Sequence, residues 1–365
     1  MDSISCGFIG LGLIGGSILK ALKAANPNAR IVAYDKNTVS LELAKSQGYV
    51  DEISDCIGDA FHGLTYIFLC APVSFNDENL AALKPLLSPD TIITDVGSVK
   101  TDIHEHVKAL GLEKQFIGGH PMAGSEKTGF ENSAQRLLEN AYYVLTPSPD
   151  VPSEKTAQFH ALLASLGAIP LELSYEQHDY VTAAISHLPH VVSATLVNLV
   201  KKSDSADGIM KLIAAGGFKD ITRISSSSPV MWQNICLANT ANISKLLQDY
   251  IEALTAIKAE IDTGNGDALY SFFDTARNYR DSFGNASSGP IKKLYFFYLD
   301  ITDKAGALSQ VVSLLAEEKL SIKNIGIIHN REFEEGVLRI EFYEEDIMEK
   351  ACTLLQKRHY TVHRK

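Results

Sequence analysis

Three groups of residues in this 365-residue chain are spaced for chemistry on small molecules. The first is a glycine run: Gly10-Leu11-Gly12-Leu13-Ile14-Gly15 follows an apolar stretch from Ile4 to Ile9, and Asp35 stands twenty positions beyond Gly15. Gly10 permits a tight turn, Gly12 has no Cβ to keep a pyrophosphate off the backbone, and Gly15 lets a new helix lie close to the strand. The helix start offers free N–H groups and partial positive charge to phosphates. Asp35 closes a second apolar run and is placed for a ribose 2′-hydroxyl, which marks a dinucleotide site that favours NAD over NADP. Lys36, the next residue, is a counterweight to that preference. Ala71 and Pro72 end a further predicted strand on the same crevice.

The second group is His120 with Ser98. His120 lies in Gly118-Gly-His-Pro-Met-Ala-Gly-Ser-Glu126, where glycines and Pro121 predict a loop at a strand end. A neutral imidazole there can take a proton from a substrate hydroxyl as hydride leaves the same carbon. The alternative is a histidine bonded to a loop carbonyl. Ser98, in Asp95-Val-Gly-Ser-Val-Lys100, is either a bridge between that histidine and the substrate or the N-cap of a helix over 99–109.

The third group carries charge to a pocket. Gly216-Gly-Phe-Lys219-Asp220-Ile-Thr-Arg223 reads as a glycine-rich loop between two helices with two cations, and Arg223 suits a bidentate carboxylate contact or an ion pair with Asp220. Ser186-His187-Leu-Pro-His190 sits in an apolar helix, its histidines on one face as substrate contacts or core residues. A metal shared with His120 is disfavoured because no cysteine or carboxylate stands nearby in sequence. Trp232, the single tryptophan, reads as core or pocket wall, and His104 and His106 as solvated.

These groups need a scaffold. Up to residue 173, strands at 4–9, 31–35, 66–70, 91–95, 115–119, 142–146 and 168–172 alternate with helices near 14–25, 38–47, 77–87, 99–109 and 153–166. That order implies a mostly parallel, doubly wound α/β sheet with ligands beyond the carboxyl ends of its strands. Residues 174–283 read as helices at 176–202, 204–216, 228–262 and 264–282, a substrate and dimerisation domain. A linker at 284–293, flexible over Gly284–Pro290, precedes a βαββαβ pattern over 294–365, a small ferredoxin-like unit.

Composition is that of a globular protein, 45% hydrophobic and 21% charged. A net charge of −11 argues against broad nucleic-acid binding. Five scattered cysteines without a CxxC pair fit a reducing cytoplasm. No basic leader precedes the first strand, and Ala183–Val200, interrupted by two histidines, a proline and an asparagine, reads as a core helix rather than a membrane span.

Taken together, the motifs Gly7–Gly16, Asp95–Lys100, Gly119–Glu126, Ser186–His190 and Gly216–Arg223 resemble prephenate dehydrogenase carrying a C-terminal ACT domain, over essentially the whole chain. The resemblance implies oxidation of prephenate with NAD and release of CO2, giving 4-hydroxyphenylpyruvate on the way to tyrosine. It implies a catalytic His120 oriented by Ser98, with Arg223, His190, Ser186, Lys219, Gly216, Trp232, Ser125 and Glu126 around the substrate and Asp179 nearby. It further implies a cytoplasmic homodimer and an ACT loop in which Asp303, Gly306, Leu308 and Asn324 serve a regulatory amino acid, tyrosine by preference. Arogenate is the rival substrate. A non-catalytic NAD and amino-acid sensor is the rival class, and such a sensor would not need His120 and Arg223 together.

Overall fold

The computed structural model describes residues 4–124, 127–283, 295–301, 304, 306–328 and 336–363. Two compact units, 1–255 and 256–365, make up the chain.

The first unit opens with β1 (Ser5–Ile9), α1 (Leu13–Ala25), β2 (Arg30–Tyr34), α2 (Thr38–Ser46) and β3 (Glu52–Ile53). It continues through β4 (Tyr66–Leu69), α3 (Asn76–Leu83), β5 (Ile92–Asp95), α4 (Thr101–Leu110), β6 (Ile117–Pro121), β7 (Tyr142–Pro147), α5 (Ser153–Ser165) and β8 (Ile169–Glu172). Five strands pair in parallel in the order β3-β2-β1-β4-β5, so the order reverses between β1 and β4 and opens a crevice at their carboxyl ends. Apolar side chains fill both faces. Phe8 stacks on Phe68 at 4.9 Å on one, and Ile9, Val32, Ile67 and Ile93 pack with Leu80 and Val107 on the other.

The expected mostly parallel, doubly wound sheet divides here. β6, β7 and β8 form a second sheet in which β6 runs antiparallel to β7, joined to β5 by one bridge, Ile93 to Phe116. The described residues between β6 and β7 hold two short 3-10 turns and no crossover helix, and a parallel return needs such a crossover.

The helices depart from the sequence reading wherever a side chain competes for the backbone. The predicted helix 176–202 is α6 (Tyr175–Thr182), a π-turn at 183–187 and α7 (Leu188–Ser203). Pro189 lacks an N–H and crowds the preceding turn, which favours the wider π geometry. Of 204–215 only α8 (Ile209–Ile213) is helical, because Asp204 takes the N–H groups of Met210 and Lys211. The segment read as a loop at 216–223 is itself a helix, α9 (Gly216–Thr222). Helix 228–262 breaks at the buried Asn239 into α10 (Pro229–Ala238) and α11 (Thr240–Thr263), and α12 (Gly266–Ser282) follows.

The run 175–203 is long and apolar enough to cross a membrane by length and composition alone. It is not the core helix expected: α7 buries only Ser193, the π-turn only Ala183 and His187, while Ile185 and Leu199 stand exposed. Leu237, Ile251 and Leu254 on α10 and α11 are exposed too, so this apolar surface is not covered by the described residues.

In the second unit, β9 (Tyr295–Ile301), α13 (Ala307–Glu317), β10 (Ile322–Ile328), β11 (Gly336–Phe342), α14 (Glu345–Lys357) and β12 (Val362–His363) follow the predicted βαββαβ order. The sheet is antiparallel, β10-β11-β9-β12, which is the ferredoxin-like arrangement. Phe297, Leu299, Leu338, Ile340 and Phe342 pack against Val311, Leu315, Ala351 and Leu355 of its two helices. Gly306 precedes α13 with φ +89°, Leu308 is exposed in its first turn, and Asn324 is exposed on β10. Asp303 and the linker lie outside the described residues.

Candidate active site

The glycine turn is built as its spacing predicts. Gly10 has φ +95°, and a Cβ there would collide with the Cys70–Ala71 peptide at the end of β4. A Cβ on Gly15 would meet Gly10 O at 2.7 Å and Cys70 Cβ at 2.9 Å, so α1 lies against the strands through this residue. Gly12 is different: its backbone is extended and nothing lies within 4 Å of where a Cβ would stand. The protein's own packing does not demand a glycine there, whereas a phosphate approaching the backbone does. No side chain caps α1, which leaves its first-turn N–H groups, at Leu13 and Ile14, to a ligand. Asp35, just past β2, accepts Leu11 N–H at 2.5 Å and Asn37 N–H at 2.7 Å, fixing its carboxylate beside the turn. Ala71 and Pro72 line the neighbouring strand end, Pro72 exposed. These residues fit a dinucleotide.

His120 lies within β6 rather than in the loop expected, because β6 pairs with β7 as far as Pro121. A buried ion pair holds this strand end. Lys100 Nζ bonds Asp95 Oδ2 and donates to Gly119 O at 2.8 Å, and Asp95 Oδ1 accepts Gly119 N–H at 3.1 Å. Burial pulls the Lys100 amine below its ordinary value, and Asp95 acts against that shift.

His120 Nδ1 lies 2.8 Å from His178 Nε2, and His178 Nδ1 lies 2.8 Å from Asp179 Oδ1. The chain of partners sets every tautomer. A carboxylate accepts, so His178 donates from Nδ1 and accepts at Nε2. His120 therefore carries its proton on Nδ1, and Nε2 keeps a lone pair. Burial above all, with the nearby Lys100 ammonium disfavouring a second positive charge, pushes the His120 pKa well below its ordinary value and keeps the ring neutral.

Asp179 also accepts the N–H groups of Lys100 and Thr101 at 2.8 Å each and the Thr101 hydroxyl at 2.6 Å. Burial opposes its charge, but these bonds and His178 together lower its pKa. The helix predicted from residue 99 thus starts at Thr101 and is capped by this distant carboxylate, not by Ser98. Ser98 is half-buried in the β5–α4 loop, without a hydrogen-bond partner among the described residues. His178 was not singled out from sequence. Its signal was the capping box Ser174–Gln177, which starts α6 and turns its next residue inward.

On α10 and the 183–190 segment, His190 stacks on Trp232 at 3.7 Å and donates from Nδ1 to Ser186 O at 2.9 Å. Arg223 lies close enough to His190 to depress its pKa, after burial. Asn239 Nδ2 donates to Asp179 O at 2.8 Å, which fixes the amide, and its 3.2 Å contact with His187 Nδ1 makes that nitrogen an acceptor. The buried His187, its pKa lowered to about 4 chiefly by burial, then carries a proton on Nε2 with no partner among the described residues, and Trp232 Nε1 is likewise unpartnered. Two neutral donors thus converge on this region. Lys219 and Arg223 are exposed and Gly216 starts α9. Ser125 and Glu126 lie outside the described residues. His104, expected to be solvated, is buried. Its Nε2 bonds Thr146 at 2.9 Å, its ring stacks on Tyr175, and desolvation lowers its pKa to about 4. His106 is exposed beside Asp77.

A parallel sheet with a glycine turn, an acidic residue after the second strand and an oriented neutral histidine define an NAD-dependent dehydrogenase. Residues 18–170 match the nucleotide-binding domain of prephenate dehydrogenase, and 174–275 match its dimerization domain. The chain belongs to the prephenate dehydrogenase family. It is 37% identical over 354 residues to prephenate dehydrogenase of Bacillus subtilis, covering 96% of this chain and 95% of that protein. It is 32% identical over 274 residues to cyclohexadienyl dehydrogenase of Zymomonas mobilis, covering 74% and 93%. The crystal structure of A. aeolicus prephenate dehydrogenase with hydroxyphenyl propionate and NAD+ has a TM-score of 0.73 at 31% identity, over 78% of this chain and 99% of that one.

Proposed function

We propose that this enzyme oxidises prephenate with NAD and releases CO2, leaving 4-hydroxyphenylpyruvate. The observation that carries the reading is the His120–His178–Asp179 chain, which leaves one neutral imidazole nitrogen free beside a dinucleotide cradle. NAD, when bound, supplies the hydride acceptor. His120 Nε2 takes the proton of the ring hydroxyl, and Ser98 orients that oxygen. His178 and Asp179 hold the tautomer and stabilise the imidazolium that forms. Arg223 grips a substrate carboxylate, since a dianion needs local cations despite the net charge of −11; Ser186, His190 and Lys219 add substrate contacts, and Gly216 and Trp232 shape the pocket. Aromatisation of the ring supplies much of the driving force, so positioning and one proton transfer suffice.

The reading extends to assembly and control. The exposed apolar surface of 175–203 and its neighbours suits a second copy of the chain. The ferredoxin-like unit serves as an ACT domain that binds tyrosine at the start of α13, where Gly306 stands. The test is NADH formation with prephenate or arogenate, each with and without tyrosine. Turnover of prephenate is expected. Absence of turnover with both substrates rejects the assignment, and turnover of arogenate alone moves it to the amino-acid substrate.

A further inference from the structure

Lys36 follows the ribose-binding Asp35 directly, the position from which a cation would reach a 2′-phosphate. The Lys36 ammonium sits 3.8 Å from the centre of the Phe75 ring, in the turn after β4. The backbone between is fixed. Asp35 is tied to Leu11 and Asn37, and the Asn37 side chain accepts Val39 N–H to start α2. Only the Lys36 side chain is free to choose between the ring and the ribose side, and the half-buried Phe75 offers it a π-face.

We propose that Phe75 is a cofactor-specificity residue, which holds the Lys36 ammonium on its ring and so denies NADP the cation that would offset repulsion from Asp35. Asp35 sets the preference for NAD, and Phe75 keeps Lys36 from eroding it. The proposal rests on the NAD reading above. The measurement is the dissociation constant of NAD and of NADP, by calorimetry without substrate, for wild type, Phe75→Leu, Lys36→Met and the double variant. Phe75→Leu is expected to bind NADP about three- to tenfold more tightly with NAD within about twofold, the scale of a partly exposed cation–π contact plus a new phosphate contact. Lys36→Met is expected to show no such gain, and the double variant to lose it. Unchanged NADP affinity in Phe75→Leu, an equal shift for both cofactors, or a gain that survives in the double variant overturns the proposal. A wild type that does not bind NAD would instead overturn the cofactor reading itself. Thermal melts confirm that each variant is folded.

Discussion

In the reaction proposed above, His120 combines two properties that pull against each other: it accepts a proton, and its surroundings disfavour the charged ring. The conflict is resolved by its neighbour, since His178 and Asp179 lie in line to share the positive charge. Replacing His120 with Asn is expected to leave NAD affinity intact and to lower kcat by roughly 10²–10⁴, as read from steady-state rates and calorimetry. The pH profile carries the second expectation. An unperturbed histidine would lose half its activity near pH 6.5. Here the active form is the neutral ring and its pKa is depressed, so protonation and loss of rate move to lower pH. kcat/KM should therefore stay flat from pH 7.5 through 6.5 and fall only below. A half-loss at 6.5 would show that the ring is solvated and the relay absent.

Helix α4 depends on a carboxylate seventy-eight residues away from Thr101, because Asp179 bonds its first N–H groups. Asp179→Ala should therefore cost about 0.5–2 kcal/mol in stability as a lost cap, and should also lower kcat by freeing the His178 tautomer. Thermal melts and kinetics on the same sample test both halves. A loss of stability with normal kcat would separate the cap from the relay. This double use explains what the chain reveals before folding. Alternating apolar runs, the Gly10–Gly15 turn and the βαββαβ order are local patterns, and each became the element expected. The start of α4 and the break at Asn239 depend on partners distant in sequence, so local spacing does not contain them. Of the two readings of Ser98, the cap fails for that reason: a serine before an apolar-periodic run is the local rule, and Asp179 outcompetes it. The antiparallel β6 was more accessible, because its connection to β7 carries no helical pattern.

At the level of the whole molecule, the ferredoxin-like fold has a core of its own, separate from the two cores of the nucleotide-binding sheet, so its removal should leave that sheet intact. A chain ending after Phe283 is expected to remain active and to lose sensitivity to tyrosine, measured as NADH formation over a tyrosine titration. Inhibition at unchanged concentrations would mean that tyrosine competes at the catalytic site. Gly12 has a consequence of another kind. Because its extended backbone and empty surroundings accept an alanine, Gly12→Ala should fold and melt like wild type while binding NAD roughly tenfold or more weakly. In the dimer proposed above, such a chain would be a silent subunit. Mixed with a wild-type excess and reassembled, it would reveal whether one working site depends on its neighbour's turnover, a question of communication between copies that no variant damaging the fold could answer.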